Sequence, residues 1–444
     1  LRFENTTDTQ PLVGQTDQIN IYAVSWPAFG DVNGTGLLLE PRSFDSKVLA
    51  NVVAIPDSAQ SPEQISGLQS GLIPQLQFAR RLSESGCRVV VPLLIDRQEK
   101  ISRLTRREFL YRSAFELGRQ LIGYEIQKSL ALVDWFEKKW PKQPIGMIGW
   151  GEGGLITQYA AAIDTRIHSA CVSGYFASRQ NIWEEPIDRN IFGLLEQFGD
   201  AELASLIAPR ALIIDAAPGP KISFPGGRGA PSRIVSPSVD SVKKEFNRAE
   251  QIVSKLNPPP KFYLIEDNQK PLGDNALSQF LKSLNSSAVL NQVERNNILN
   301  KNKNFDPAKR HAKQFHELDR HTQWLLRESP FIRQNFYQPD TSSLEKFEAS
   351  NQKYREKFYN DVIGKFDNGR LPLNVRSRKI YDTKKWVGHE IVLDVFPNVI
   401  AYGILLLPRD LKANERRPVV VCQHGLEGRP QDIITGDHNA YHDF

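Results

Sequence analysis

The stretch from residue 145 to 162 has the residue order that two kinds of chemistry require. An apolar run leads into the glycine-rich segment 149–154, which is followed by the apolar, alanine-rich segment 155–162. This order predicts a strand, a sharp turn and a helix. Such a turn either holds a dinucleotide pyrophosphate at a helix N-terminus or lifts a nucleophile above the edge of a sheet.

The dinucleotide alternative depends on Gly149, Gly151 and Gly154, which fit G-x-G-x-x-G. That motif also needs an acidic residue about 20 residues further on, at the end of the next strand. The next predicted strand instead ends in 172–175, Val-Ser-Gly-Tyr. The turn also follows the fourth or fifth predicted strand, whereas a dinucleotide loop follows the first strand of its fold. A dinucleotide-binding oxidoreductase is therefore the weaker alternative.

The nucleophile turn, G-x-S-x-G, is matched by Gly149, Gly151 and Gly153 except at its centre. Gly151 stands where the serine belongs and carries no reactive atom. Glu152 offers a carboxylate, but it lies one residue beyond the apex and is expected to point elsewhere. A tight turn that is kept only for packing fits the same residues. The pattern therefore predicts the turn without its nucleophile.

The surrounding elements predict an α/β fold. Short apolar runs at 36–40, 48–55, 88–93, 145–149, 167–173, 210–215 and 261–265 have little polar alternation, as is typical of strands covered on both faces. Helical patterns lie between them, the clearest at 106–140, with apolar residues three and four apart. Alternating strands and helices predict a mostly parallel sheet flanked by helices.

The second half of the chain differs from the first. Residues 308–328 and 341–366 have helical patterns, and Pro330 and Pro339 are predicted to mark the gap between them. Strand patterns return at 387–395 and 400–407 as a hairpin. Segment 36–42 matches 403–409, and after a similar interval 52–57 matches 420–425. We predict a first domain at 20–290, a helical connector at 291–374 and the start of a second, similar domain at 375–444, truncated at the chain end.

Several longer stretches carry a resemblance to a known family. They are 51–67, 149–154, 172–176, 185–190 and 198–210, with 423–430 in the second copy. These stretches resemble tandem α/β-hydrolases of the acetyl xylan esterase-like and dienelactone hydrolase-like type. The resemblance implies an α/β-hydrolase fold and serine esterase chemistry, which needs no cofactor, with an ester or carbohydrate substrate and an extracytoplasmic location.

The same resemblance implies which residues should act in the first domain, and several are missing. The nucleophile position is Gly151, and the acid position is Asp215, at the end of a strand. The loop 266–271, where the histidine belongs, contains none, and His168 is predicted to be a strand-end or core residue. The oxyanion loop has Pro56 and Asp57, and proline has no N–H to donate. We therefore predict a catalytically inactive first domain.

In the second copy, His424, Gly425 and Leu426 match the oxyanion loop of a working esterase. A plain glycine turn is the alternative for these residues. The nucleophile, acid and base of that copy would lie beyond Phe444. The resulting prediction is a fragment of a tandem serine esterase, of the carbohydrate-esterase type or a related one.

A non-catalytic carbohydrate-binding or scaffold module is the other function that the sequence allows. Aromatic side chains near the turn could stack on a sugar ring, and they are Trp150, Tyr175, Phe176 and Trp183. The same side chains would serve equally well in a hydrophobic core.

The remaining features exclude several other classes. The net charge of +5 is too small, and the charges too evenly mixed, to predict nucleic-acid binding. The sequence contains no run of 18 apolar residues of the kind that would suggest a membrane span. Three cysteines, each in a strand-like apolar run, are expected to be buried free thiols. His311, His316 and His321 are spaced by five and are expected on solvated helix faces rather than at a metal. His438 and His442, four apart near the chain end, are a weak metal alternative.

Overall fold

The protein is described from a computed structural model that covers residues 2–3, 11–42, 48–97, 100–101, 103–224, 231–266, 270–292, 298–302, 305–366, 369–426 and 428–434. The chain divides into two compact units, Leu1–Arg333 and Gln334–Phe444. Each unit is described by itself below.

The strands of the described residues are β1 Arg2–Phe3, β2 Leu12–Gln15, β3 Ile19–Phe29, β4 Val32–Pro41, β5 Asn51–Ile55, β6 Arg88–Pro92, β7 Lys100–Ile101, β8 Leu104–Thr105, β9 Ile145–Trp150, β10 Ile167–Ser173, β11 Ala211–Asp215, β12 Ile222–Ser223, β13 Arg233–Ile234, β14 Lys261–Ile265, β15 Leu299–Asn300, β16 Arg376–Asp382, β17 Trp386–Phe396 and β18 Val399–Pro408.

The α-helices are α1 Pro62–Ile65, α2 Phe78–Glu84, α3 Arg106–Phe115, α4 Leu121–Lys139, α5 Glu152–Ile163, α6 Leu194–Gln197, α7 Asp200–Ser205, α8 Val239–Val253, α9 Asp274–Leu284, α10 Pro307–Phe336 and α11 Leu344–Lys357. A π-helical segment, Phe358–Gly364, continues α11, and short 3-10 turns lie at Pro74–Leu76, Ile182–Glu184, Ile187–Arg189 and Pro430–Ile433.

The first unit is built around one eleven-stranded sheet in the order β14-β11-β10-β9-β5-β6-β4-β3-β2-β15, with β1 beside β3. The neighbours from β14 to β6 are all parallel, and those from β6 through β4, β3 and β2 to β15 are antiparallel. This mixed sheet, with crossover helices between its parallel strands, has the arrangement of an α/β-hydrolase. The predicted α/β fold class is confirmed.

The alternation of side chains along the central strands explains why helices cover both faces. Val53 and Val90 lie in a core with Phe136 of α4, whereas their neighbours Val52 and Val89 lie in a second core with Phe280 of α9. Helices α4, α5, α7 and α8 contribute to the first core, and α1, α2 and α9 contribute to the second. The central strands are apolar on both faces because both are buried.

Two helix predictions need correction. The single helix predicted at 106–140 is two helices, α3 and α4, separated at Gly118, whose φ of +68° is a left-handed conformation that favours glycine after a helix. Pro330 does not mark the end of α10 but lies inside it. Proline has no N–H to give to the carbonyl of Leu326, and the Ser329 hydroxyl donates to that carbonyl at 2.8 Å instead.

The second unit contains α11 and a three-stranded antiparallel sheet in the order β16-β17-β18. The predicted hairpin is confirmed by β17 and β18, which pair from Trp386 with Pro408 to Phe396 with Val399. Residues 415–425 have no regular secondary structure. The strand-like apolar run that contains Cys422 therefore does not form a strand.

Candidate functional site

The glycine-rich segment forms the turn that the sequence predicts. Strand β9 lies between β5 and β10, and α5 begins at Glu152, directly after Gly151. Gly151 has φ +58° and ψ −116°, a backbone conformation that side chains other than glycine rarely adopt. Its N–H donates to the carbonyl of Ser173 at 3.0 Å, which ties the apex to the next strand.

The space above Gly151 is already filled. A Cβ atom at this position would lie 2.6 Å from Oδ2 of Asp57 and 2.8 Å from Cγ of Pro220. Both distances are shorter than real contacts of a Cβ atom. A serine at the apex would therefore have both a strained backbone and no room for its side chain.

The carboxylate of Asp57 binds the backbone amide that would hold an oxyanion in a serine hydrolase. Its Oδ2 accepts the backbone N–H of Glu152 at 2.9 Å, and its Oδ1 accepts the N–H of Ala59, also at 2.9 Å. In serine hydrolases the amide of the residue after the nucleophile helps to hold the developing oxyanion. Here that amide, at the N-terminus of α5, is bound to a buried carboxylate of the protein itself.

The Glu152 side chain points away from the apex and into the protein. It is fully buried and accepts from Nη2 of Arg97 at 2.8 Å, Nη2 of Arg107 at 2.9 Å and Nε of Arg189 at 2.8 Å. Burial alone would raise the pKa of Glu152, but the charges of Arg189, Arg97 and Arg107 outweigh it and hold the pKa well below the usual 4.5. The carboxylate is committed to three guanidinium groups, and the alternative of Glu152 as a nucleophile does not fit.

Glu152 belongs to a larger set of buried charges, which we call the arginine–carboxylate cluster and which consists of Arg97, Arg107, Glu125, Glu152, Asp188 and Arg189. Asp188 accepts from Arg97 at 2.9 Å and from Arg107 at 2.8 Å, and Arg107 also donates to Glu125 at 2.8 Å. Three positive and three negative side chains leave no net charge.

The cluster joins elements that are distant in the chain. Arg97 follows β6, Arg107 is in α3 and Glu125 is in α4, whereas Asp188 and Arg189 lie in the 3-10 turn after β10. All six side chains are almost completely buried. Such pairs add little stability over apolar packing, but removing one partner leaves an uncompensated buried charge. The cluster therefore fastens the turn Ile187–Arg189 against the start of α5.

Asp215 lies at the acid position, as the last residue of β11. It is buried, and its Oδ2 accepts the Ser173 hydroxyl at 2.7 Å and the Leu272 N–H at 2.8 Å. These two bonds link β10, β11 and the segment after β14. Asp215 therefore has a structural role at the carboxyl end of the parallel strands.

The histidines that the structure describes in the first unit contact residues outside the glycine turn. His168 is exposed at the start of β10 and accepts the Ile145 N–H at 3.2 Å, as expected for a strand-end residue. His311 lies 3.4 Å from Asp96, and His316 is exposed beside Phe315.

His321 corrects the expectation of solvated helix faces. It is buried, and its Nδ1 lies 2.8 Å from Oδ1 of Asp31, in the turn between β3 and β4. In the described ranges, no group of three or more histidine, cysteine or acidic side chains could hold a metal. His438 and His442 lie outside the described residues.

The predicted oxyanion loop of the second copy is a turn at the surface. Nδ1 of His424 lies 2.8 Å from the carbonyl of Gly425, and the N–H of Gly428 donates to the same carbonyl at 2.9 Å. The Leu426 side chain is fully exposed. The loop geometry is thus an exposed glycine turn in the second unit, and its role stays a prediction.

Of the aromatic side chains near the turn, some are buried in the hydrophobic core and others lie towards the surface. Tyr175 and Phe176 are buried in the first core, and the indole N–H of Trp150 donates to the carbonyl of Pro218 at 2.8 Å. Trp183 is 61% exposed. Most of these aromatic residues are therefore not available for stacking on a ligand.

Cys87 and Cys171 are buried free thiols, as predicted, and burial raises the pKa of Cys87 to about 12. Cys422 is exposed and lies outside any strand, contrary to the prediction. Of the described helices, none combines the length and hydropathy that a membrane crossing requires.

The sequence does not reveal the arginine–carboxylate cluster or the contact of Asp57 with the amide of Glu152. The only signal is local: charged residues such as Arg97 and Asp188 stand in or beside apolar segments where water is excluded. Their pairing depends on which elements the fold brings together. No periodicity or motif specifies it.

No family model matches the chain, and no curated protein matches it. Solved structures do match. A Bacteroides fragilis protein assigned as an acetyl xylan esterase has 15% identity and a TM-score of 0.45, covering 57% of this chain and 68% of its own. A cold-adapted esterase from an Arctic intertidal metagenomic library has 15% identity and a TM-score of 0.33, covering 58% of this chain and 86% of its own.

A third match is a glucuronoyl esterase from Solibacter usitatus, with 12% identity and a TM-score of 0.38, covering 63% of this chain and 86% of its own. These names are of the same kind as the family that the sequence resembles. Matches at this level carry no activity over to this chain, so function is argued below from the site.

Proposed function

We propose that the first unit is an α/β-hydrolase-type domain that has lost catalysis and serves as a scaffold. The observation that carries the proposal is the apex of the turn. Gly151 supplies no nucleophile, and the carboxylate of Asp57 takes the amide that would hold an oxyanion. Removing a nucleophile alone lowers rates by several orders of magnitude.

We further propose that the second unit contains the opening strands of a second hydrolase-type domain. The support is a match in strand register. Leu12 pairs with Tyr22 and Gly14 with Ile21, with an irregularity between the two pairs. In the second unit, Lys379 pairs with His389 and Tyr381 with Gly388, again with an irregularity between them.

The hairpins that follow also correspond. Strands β3 and β4 have the same lengths as β17 and β18, and both hairpins have an irregularity one step before the turn. Two unrelated sheets would not be expected to share two strand lengths and two irregularities. The correspondence thus supports an internal repeat of the sheet opening.

The two copies differ in what covers them. Strand β4 is mostly buried because β6 pairs with it, whereas β18 is largely exposed. The segment that corresponds to β5 contains Val419, Val420 and Val421, with side chains 81–90% exposed. Apolar strands of this kind are covered in the first unit, so the second copy is proposed to need parallel strands that the described residues do not provide.

In this proposal, esterase chemistry belongs to the complete second copy. A serine there would attack the acyl carbon, backbone N–H groups near Leu426 would stabilise the oxyanion, and water would release the acid. A carbohydrate ester is the proposed substrate class, following the resemblance of the sequence. A non-catalytic binding module is the other candidate, favoured by the inert turn of the first unit.

The experiment is an aryl-acetate hydrolysis assay on the 444-residue chain, combined with labelling by a fluorophosphonate that reacts with activated serines. We expect neither turnover above the buffer rate nor labelling. Ser173, whose carbonyl accepts the Gly151 N–H, and Ser58, which follows Asp57, supply the controls as alanine variants. Turnover that disappears in either variant would contradict the proposed inactivity.

A further inference from the structure

A cavity of about 330 Å³ lies in the first unit, apart from the glycine turn. It is lined by segments 178–180 and 195–199 and by side chains of α7 and α8. Its lining does not overlap with the turn 149–154 or with the arginine–carboxylate cluster. Its volume lies in the range of small-molecule sites, which starts at about 300 Å³. Binding in this cavity can therefore be tested independently of the turn.

The wall of this cavity has an excess of negative charge. It contains three glutamates and two arginines, so the lining has a net charge of −1 at neutral pH. Arg248 donates to Glu202 at 2.7 Å and to Glu245 at 2.7 Å, so that one guanidinium group faces two carboxylates. Glu196 is exposed, and among the residues that the structure describes no ion pair includes it. The wall therefore offers a carboxylate that a ligand can use.

The second arginine of the wall, Arg179, adds little positive charge to the cavity. It is buried, and its Nη2 donates at 2.9 Å to Glu185, which lies outside the lining. A further acid, Asp200, is buried directly after the lining residue Gly199. Its Oδ1 has no hydrogen-bond partner among the described residues, and burial raises its pKa to about 7, although Arg179 opposes this effect. Positive charge, not negative charge, is therefore what the surroundings of the cavity lack.

The rest of the wall offers an aromatic ring, an apolar side chain and neutral acceptors. Phe198 and Leu195 are 37% and 45% exposed, so part of their apolar surface is open to a ligand. A cation within about 6 Å of an aromatic face is attracted by the ring. Gln197 adds an amide oxygen, and an ammonium group has three N–H donors to satisfy. These groups together suit an ammonium group that is attached to an apolar body.

We propose that this cavity binds an organic cation, a primary ammonium group attached to an apolar chain or ring. The ammonium group lies between Glu196 and the face of Phe198, and the apolar part contacts Leu195. Glu202 and Glu245 keep their bonds to Arg248, and their excess charge attracts the cation. The site does not depend on the loss of catalysis at the glycine turn, so failure of either proposal leaves the other standing.

The experiment uses the full chain at pH 7 and three probes that share a phenylethyl body: 2-phenylethylamine, 2-phenylethanol and 3-phenylpropionate. They carry an ammonium, a hydroxyl and a carboxylate group, respectively. Saturation-transfer NMR detects contact, and calorimetric titration measures affinity. We expect a Kd on the order of 1 mM for 2-phenylethylamine, since a ligand of this size gains modest binding energy. The neutral and anionic probes should bind at least about 5-fold more weakly, because the carboxylates and the aromatic face favour a cation.

A fourth probe, N-acetyl-lysine methylamide, distinguishes two sources of the same ammonium group. If it binds more tightly than 2-phenylethylamine, the cation that the cavity takes is a lysine side chain of a polypeptide. If it binds more weakly, the cation is a small free amine.

Two variants test the location of the site. Glu196→Gln should weaken binding of 2-phenylethylamine about 2- to 5-fold by removing the available carboxylate. Phe198→Ala should weaken it about 3- to 10-fold by removing the aromatic face. The matched controls are Glu250→Gln and Phe192→Ala, an exposed glutamate of α8 and an exposed aromatic residue, both outside the cavity lining.

Folding of each variant is checked by its thermal midpoint, and Glu196 and Phe198 are both exposed, so their replacement should leave the fold intact. The proposal is overturned if 2-phenylethylamine shows no saturable binding, or if 2-phenylethanol or 3-phenylpropionate binds as tightly as the amine. It is also overturned if Glu196→Gln and Phe198→Ala bind like the unaltered chain, or if the two controls weaken binding as much as they do.

Discussion

At the scale of single residues, the turn at Gly151 has no side chain at its apex. The backbone conformation of an elbow is kept, while Asp57 and Pro220 fill the volume where a side chain would project. The sharp turn still delivers α5 against the sheet, since Gly153 approaches Ile55 so closely that a Cβ there would lie 2.1 Å from its carbonyl oxygen. Packing alone is enough reason for these glycines.

Gly151→Ser is therefore expected to destabilise the protein without creating an esterase. The strained backbone and the contact with Asp57 should lower the free energy of unfolding by about 2–4 kcal/mol. Urea denaturation measures the loss, and aryl-acetate hydrolysis tests the activity. The double variant Gly151→Ser with Asp57→Gly should recover part of the stability. Substantial turnover by the single variant would refute the view that Asp57 blocks the site.

Glu152→Gln is expected to lower the free energy of unfolding by about 3–5 kcal/mol, because three arginines lose a buried counter-charge. Because the pKa of Glu152 is lowered in the folded state, its contribution to stability is complete above pH 4.5, its usual pKa, and is lost as the pH falls below that value. The variant should therefore lose less stability on acidification than the unaltered chain. Urea midpoints between pH 7 and 3 measure this difference.

The exposed residue Glu196 provides the control for that measurement. Glu196→Gln should leave both the free energy of unfolding and its pH dependence nearly unchanged. Equal effects of the two substitutions would mean that the arginine–carboxylate cluster does not hold the start of α5.

At the residue scale, the sequence predicts single positions of the candidate site but not the partners of those residues. The empty nucleophile position follows from the glycine motif, and the acid position at Asp215 is what the family resemblance implies for the end of that strand. The partners of Glu152 do not, because Arg97, Arg107 and Arg189 come from three separate elements. Long-range pairing of charges depends on the assembled fold and leaves no periodic trace in the sequence.

At the scale of elements, the apolar central strands are readily predicted, and the antiparallel edge is not. Strands β10 and β14 have the predicted bounds, since buried runs of valine, isoleucine and leucine differ sharply from their surroundings. Strand β3 was not predicted because it contains Asn20 and Pro27 and borders on turn residues. Its pairing with β4 overrides that weak local preference.

Helix α4 carries a buried lysine whose charge opposes folding. In the described structure, Nζ of Lys128 has no hydrogen-bond partner, and Glu125, Glu317 and Arg107 are the charged groups that act on it. Burial lowers the pKa of Lys128 to about 8, although Glu125 and Glu317 partly oppose this effect. The charged form is thus penalised in the folded protein.

Lys128→Met should accordingly stabilise the protein at pH 7, by about 1–3 kcal/mol. The penalty that it removes is complete below the folded pKa of about 8 and disappears as the pH rises to 10.5, the usual lysine value. The gain should therefore shrink across that interval, as measured by denaturation at pH 7, 8.5 and 10. Lys138→Met, at an exposed position of the same helix, is the control, and a similar gain there would contradict the argument.

At the scale of the whole molecule, the proposed internal repeat is supported by strand geometry more than by a sequence motif. A short match in sequence, 36–42 with 403–409, marks only part of the strand β18. The register of β16, β17 and β18 extends the match through three strands to residues whose side chains differ. Pairing is set by the backbone and the turn, so it can persist while side chains change.

The repeat predicts equivalent cross-links in the two units. Asn20 pairs with Glu40, and the corresponding pair is Val387 with Leu407. Cysteines placed at directly opposed positions of antiparallel strands are close enough to form a disulfide. In a Cys422→Ser background, which removes the exposed thiol, both cysteine pairs should oxidise readily, and mass spectrometry of the digested chain would identify each link.

A pair shifted by one residue, Val387→Cys with Leu406→Cys, places its side chains on opposite faces of the sheet and should oxidise poorly. The comparison decides whether the two units have the same register. Efficient cross-linking of the shifted pair, with poor cross-linking of Val387→Cys and Leu407→Cys, would mean that the second unit has a different strand register. The sheet-opening repeat, and with it the proposed second hydrolase-type domain, would then lose its structural support.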